Sequence, residues 1–170
     1  MVQLILEKPF DSITVQDVLD RAGVARSTFY THYRDKDDLF FSDVDDFFGL
    51  MSTLLIRKGE VSTRIAPVRE LFAHLFEGKA FHDALVSAGK IHDVWELGRG
   101  HFARAIEQRL STLDCARTIP ATERAAIAQA FAGALLSLVS SWIARGMKES
   151  PAQMDELYHR LFWSGVSASG

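Results

Sequence analysis

Between Arg26 and Lys36 the chain crowds together groups that bind anions and the edges of flat polar rings. Arg26 is followed by the hydroxyls of Ser27, Thr28 and Thr31, the phenol of Tyr30 and the imidazole of His32, and Lys36 closes the run. These side chains donate hydrogen bonds to phosphate oxygens and base edges, and an arginine can pair both acceptors of a guanine. Bond-breaking chemistry is poorly supported. The six histidines (His32, His74, His82, His92, His101, His159) are scattered, with no HExxH and no nucleophile motif. Glycine-rich phosphate loops are absent as well. His92 and Asp93 are the nearest approach to an acid–base pair, but adjacent residues of a helix do not face each other. No enzymatic activity, cofactor or metal is expected.

The polar run needs a rigid support, and the flanking residues supply one. Val15, Val18, Leu19 and Ala22 recur at helical spacing. Thr14, with Asp17 three residues on, makes a capping-box-like start. Gly23 ends that helix, because glycine enters the left-handed conformation of a sharp helix exit. A second short helix over 26–33 places Phe29 and Tyr33 on its inner face at i, i+4. Arg26, Ser27, Tyr30 and Thr31 then fall on the other side. One helix that braces and a second that carries cations and hydroxyls outward is the layout of a helix-turn-helix reading a DNA major groove.

The string AGVARSTFYTHYRDKDDLF resembles the DNA-binding signature of the TetR (TetR/AcrR) family of transcriptional regulators. The matching features are Ala22-Gly23-Val24 at the turn, Thr28-Phe29-Tyr30, Tyr33, and Lys36 followed by Leu39. The resemblance implies that Arg26 and Ser27 face bases, and that Thr28 and Tyr30 hold phosphates, Tyr30 also packing on sugar or a thymine methyl. By the same resemblance Thr31 and His32 line the outer edge, Lys36 binds phosphate, and Thr14 bonds a phosphate as well as capping its helix. The family's first helix is longer and follows a basic arm, so the chain is expected to begin inside that helix, with Val2, Ile5 and Leu6 at its end. Ala25 stands where the family often has a capping serine, threonine or glycine, which weakens the cap by about 1 kcal/mol.

The formal net charge is -3 and the pI near 6.1. Residues 1–36 hold Lys8, Arg21, Arg26, Arg34 and Lys36 against Glu7, Asp11, Asp17, Asp20 and Asp35, which cancel. DNA binding must therefore rest on the placement of a few cations. The lone Cys115 excludes an intrachain disulfide and a multi-cysteine zinc site and fits a reducing cytoplasm. The apolar run Ala125–Ala144 is long enough to span a bilayer, but Gln129, Ser137, Ser140 and Ser141 interrupt it, and it reads as a buried helix. The acidic cluster Asp35, Asp37, Asp38, Asp43, Asp45 and Asp46 reads as a solvated face.

The whole chain reads as all-α, with about nine helices in two domains: a helix-turn-helix head over 1–45 and a helical effector-binding and dimerisation domain over 46–170. The fourth helix should run from Asp35 to about Arg57, and a later one from Ile91 to Leu113, with a kink near Gly98 and Gly100. The family resemblance implies a small hydrophobic effector held in the second domain. Phe72, Phe76, Trp95, Phe102, Phe131 and Trp142 are the candidates, with His92, His101 or Cys115 as polar contacts; plain core packing is the competing reading of each aromatic. The eighth helix carries a small-residue face of Ala126, Ala130, Gly133 and Ser137 beside the stripe Ile127, Phe131, Leu135, Leu138 and Trp142. The ninth places Met154, Leu157, Tyr158, Leu161 and Phe162 on one side. These two helices are expected to form a homodimer, and two-fold symmetry implies a palindromic operator on double-stranded DNA. The expected function is a cytoplasmic repressor released by its effector. The alternative is a helical ligand-binding or interaction protein that no longer uses its head on DNA.

Overall fold

In a computed structural model, which describes residues 1–59 and 61–167, all regular structure is helical among the described residues. Ten helices follow one another: α1 Val2–Glu7, α2 Val15–Ala22, α3 Arg26–His32, α4 Lys36–Ser52, α5 Leu54–Arg57, α6 Val68–Glu77, α7 Lys79–Ser87, α8 Ile91–Thr112, α9 Ala121–Ala144 and α10 Pro151–Ser167. Short 3-10 turns at Phe10–Ser12 and Asp114–Ala116 join α1 to α2 and α8 to α9. The expected fourth helix is two, because it breaks at Thr53. The Thr53 hydroxyl donates to the Gly49 carbonyl at 2.7 Å, a local bond that competes with the helical ladder.

The residues form two compact units, 1–47 with 78–97, and 48–77 with 98–170. The first boundary falls after Phe47. Residues 78–97 return to the first unit, which no local sequence signal marks. It follows from packing: α7 lies against α1, and Leu85 is buried. Lys90 pairs with Asp37 at 2.5 Å and sits over the rings of Phe10 and Phe41. The core of this unit includes Leu4, Ile5, Phe10, Ile13, Val18, Leu19, Phe29, Phe40 and Val44, with Phe10 and Phe40 edge to face at 5.4 Å.

In the second unit α6 packs along α10. Trp142 of α9 is fully buried 4.8 Å from Phe72 and donates its indole N–H to the Glu149 carbonyl. Tyr158 is buried, donates to the Phe131 carbonyl at 2.9 Å, and has its pKa pushed above the ordinary phenol value by that burial. Residues 62–65 are strapped down from two helices. Arg109 of α8 donates to the Ser62 and Arg64 carbonyls, His159 of α10 accepts from the Ile65 N–H at 3.1 Å, and Trp163 donates to the Thr63 carbonyl.

Three expectations change. α8 runs unbroken through Gly98 and Gly100. Gly98 is there for space: a Cβ on it would stand 2.7 Å from two carbons of the Phe48 ring. Leu161 lies 51% exposed, off the buried row of Met154, Tyr158 and Phe162. α9 is not buried all round. It turns Ala128, Ala132, Leu135, Leu136, Val139 and Trp142 inward and leaves Ala126, Ala130 and Ser137 exposed. It is the one helix among the described residues long and apolar enough to cross a membrane by length and composition.

Candidate nucleic-acid interface

The head is built by local signals. The Thr14 hydroxyl accepts from the Asp17 N–H at 3.2 Å and donates to the Asp17 carboxylate, which also accepts from the Thr14 N–H, completing the capping box. Lys8 approaches the same carboxylate at 2.7 Å, and these hydrogen bonds, led by that from Lys8, hold the Asp17 pKa below the usual range. The Thr14 hydroxyl is thus used in both directions, and a bond to phosphate requires it to leave Asp17. At the other end of α2, Gly23 has φ +65° and donates to the Leu19 carbonyl, closing the turn into α3.

α3 divides as its spacing dictates. Phe29 is buried, packed at 5.7 Å against the half-buried Tyr33. Arg26, Ser27, Thr28, Tyr30, Thr31 and His32 are all exposed, Tyr30 at 51%. Thr31 returns its hydroxyl to the Ser27 carbonyl at 2.9 Å. Ala25 provides no side-chain cap, so the first N–H groups of α3 point outward without one.

The cations of the head are mostly spent. Arg21 pairs with Glu7 at 2.5 Å, Lys8 with Asp17, and Arg34 with Asp38 at 2.9 Å. Lys36, expected on phosphate, does something else in the free protein. Its ammonium donates to the carbonyls of Phe10, Ile13 and Asp11 at 2.8, 2.9 and 3.2 Å and lies 4.8 Å over the Phe10 ring. An ammonium has three donors, so all are committed to pinning the 3-10 turn before α2. Arg26 differs from the other four: its guanidinium meets neither a carboxylate nor a backbone carbonyl but the side-chain oxygen of Gln16, at 3.0 Å.

The acidic cluster is only partly a solvated face. Asp35 accepts from the Asp38 N–H and caps α4, Asp37 holds Lys90, and Asp38 holds Arg34. Two contributors leave no mark of their role in the sequence. Gln16 lies ten positions before Arg26, and only the crossing of α2 and α3 joins them. Lys90 reaches Asp37 across 53 positions. Neither carries a local signal.

Five of the six effector candidates, Phe72, Phe76, Phe102, Phe131 and Trp142, belong to the second unit. Phe72 and Trp142 are buried side by side, with Phe76, 57% exposed, 6.4 Å from Trp142. Phe131 stacks edge-on with Phe162 and Tyr158, and Phe102 with Phe48. Trp95 lies in the first unit beside His82. Among the polar candidates, His92 and Cys115 are exposed and His101 is half-buried.

Comparison with known proteins bears on both units. The sequence model described as bacterial regulatory proteins, tetR family, matches residues 2–42, and one described as transcriptional regulator C-terminal region matches residues 69–163, more than half of the chain. Among solved structures, the dihydroxyacetone kinase operon activator DhaS is similar in fold, at 16% identity and a TM-score of 0.64 over 98% of this chain and 92% of that one. At that identity the likeness is one of fold.

Proposed function

With the chain belonging to the TetR family of bacterial transcriptional regulators, we propose that it acts as a dimeric cytoplasmic repressor, released from a palindromic operator by a small apolar effector. DNA-binding regulation is the function of its family. The observation that carries the reading for this head is the outer face of α3. Arg26, Ser27, Thr28 and Tyr30 project from it, and Arg26 alone among Lys8, Arg21, Arg26, Arg34 and Lys36 is tied to neither a carboxylate nor a backbone carbonyl.

In this reading Arg26 and Ser27 face base edges. Thr28 and Tyr30 hold phosphates, and Thr31 and His32 line the rim of the groove. Thr14 serves chiefly as a cap and Lys36 as the pin of the preceding turn. Their contact with phosphate would require rearrangement on DNA. The exposed small residues of α9 (Ala126, Ala130 and Ser137), with Leu161 of α10, support a two-fold interface through these helices, since small residues let helices approach closely. The effector site is proposed on Phe72, Phe76 and Trp142, where an exposed ring adjoins a buried pair. The ligand would favour the dimer state whose recognition helices are wrongly spaced for successive grooves. No enzymatic step is proposed.

The test is selection of duplex DNA from a randomised library by the full chain. An enriched inverted repeat, bound with an affinity that falls linearly on a logarithmic salt axis, supports the proposal. Enrichment of no sequence over the unselected pool contradicts it.

A further inference from the structure

Arg26 is not the end of the chain of contacts on the reading face. Its Nη2 donates to Gln16 Oε1 at 3.0 Å, and Gln16 Nε2 donates to Asp20 Oδ1 at 2.8 Å. Asp20 stands one turn beyond Gln16 on α2, so both point from the same side of that helix. An amide can ordinarily be turned end for end. Here it cannot without loss on both sides, because a guanidinium only donates and a carboxylate only accepts. Asp20 therefore sets the amide's orientation, and the amide presents its oxygen to Arg26. All three side chains are exposed, so the relay holds a long arginine that would otherwise sample many rotamers. One of the five guanidinium N–H donors is spent on Gln16, and enough remain for a bidentate pair with guanine.

We infer that Gln16 is a positioning residue for base reading: it orients Arg26 on the groove-facing side of the head, and Asp20 acts only by orienting Gln16. The inference rests on the reading of Arg26 as the base-reading arginine. It assigns specificity to a residue of the bracing helix, outside the recognition helix. A second consequence is that Asp20 contributes in two opposed ways. Its geometry sharpens base preference, while its charge lowers affinity for every DNA sequence alike.

The experiment is a double-mutant cycle on the operator recovered by selection, using full-length protein and duplexes altered one base pair at a time. Gln16→Met keeps the length of the side chain and removes both hydrogen bonds. It should lower discrimination about fivefold at the base pair that Arg26→Ala affects, and leave other positions unchanged. Added to Arg26→Ala, it should cause no further loss there. Asp20→Asn retains an oxygen for Gln16 and should preserve the preference while tightening binding to all sequences. Asp20→Ala should lose preference as Gln16→Met does.

Additive effects of Gln16→Met and Arg26→Ala would overturn the inference. So would an equal loss on all sequences, or loss at a different base pair. If the wild-type chain selects no operator, the repressor reading itself fails. If it selects one and Gln16→Met leaves discrimination intact, only the role of Gln16 fails.

Discussion

Replacing Gly98 with alanine sets two known effects against each other, and the structure decides between them. Gly98 lies within α8 and is not in the left-handed region, so no backbone strain opposes a side chain. Helix propensity alone favours alanine over glycine by about 1 kcal/mol. Against that, the new Cβ would stand 2.7 Å from Cε1 and Cζ of Phe48 and 3.1 Å from Cε2. Phe48 is 2% exposed, and Phe102 lies edge-on to it at 6.0 Å, so the ring has little room to retreat. Overpacking a rigid core site costs about 1–3 kcal/mol, and a buried aromatic ring places this site near the upper end. The net expectation is a loss of about 1–2 kcal/mol for Gly98→Ala, read as a lower urea midpoint at unchanged slope. In a Phe48→Leu background the clash is relieved, and the same substitution should be neutral or stabilising by up to about 1 kcal/mol. A stabilised Gly98→Ala single variant, or no coupling between the two positions, would refute the packing argument.

Lys36→Met should destabilise the head by about 2 kcal/mol, because three carbonyls lose a charged donor at once. Unchanged stability with a salt slope of DNA binding reduced by about one would instead restore the phosphate role. Ala25→Ser should gain about 1 kcal/mol by giving α3 the cap it lacks, measured by chemical denaturation; no gain would show that the helix start is satisfied otherwise. His159 supplies a pH dependence. Its ring accepts from the Ile65 N–H at Nε2, and Nδ1 lies 2.8 Å from the Asp155 carbonyl, so the neutral form fits both bonds. Burial depresses its pKa below the ordinary value, opposed by Asp155 and Glu70 and assisted by Arg64. The unfolded chain then takes up the proton first as pH falls. Stability from His159 is full above about pH 6.5 and is lost as pH drops through the depressed folded value, by at most about 1.4 kcal/mol per pH unit. The stability difference between wild type and His159→Gln should be flat above pH 6.5 and shrink below it; a difference that grows on acidification contradicts this assignment.

What was legible in the sequence was what local chemistry dictates. Thr14 with Asp17, Gly23 at the turn, and the i, i+4 pair Phe29 and Tyr33 each act within a turn or two of helix, so their pattern specified α2 and α3 and the split between inner and outer faces. Relations between distant residues left no such pattern. Gly98 looked like a kink because its neighbour Phe48 is distant in sequence, and glycine has the same appearance whether it bends a helix or makes room beside it. The pinning role of Lys36 leaves no mark because its acceptors are backbone atoms 23 to 26 positions earlier, which no side-chain pattern records. The aromatics of the second unit were alike in type but fell into separate clusters, since hydrophobic spacing tells which face of a helix is buried and not which helix covers it. The strap over residues 62–65 was invisible for the same reason, with Trp163 reaching Thr63 across 100 positions.

Base reading by Arg26 of α3 is the step on which regulation by this head depends. The most direct measurement compares wild type with Arg26→Ala in competition between the selected operator and duplexes carrying each single base-pair change. Arg26→Ala should lose about 1–3 kcal/mol of discrimination at one base pair in each half-site and keep its preferences elsewhere. A uniform loss of affinity across all sequences, with every preference intact, would contradict it.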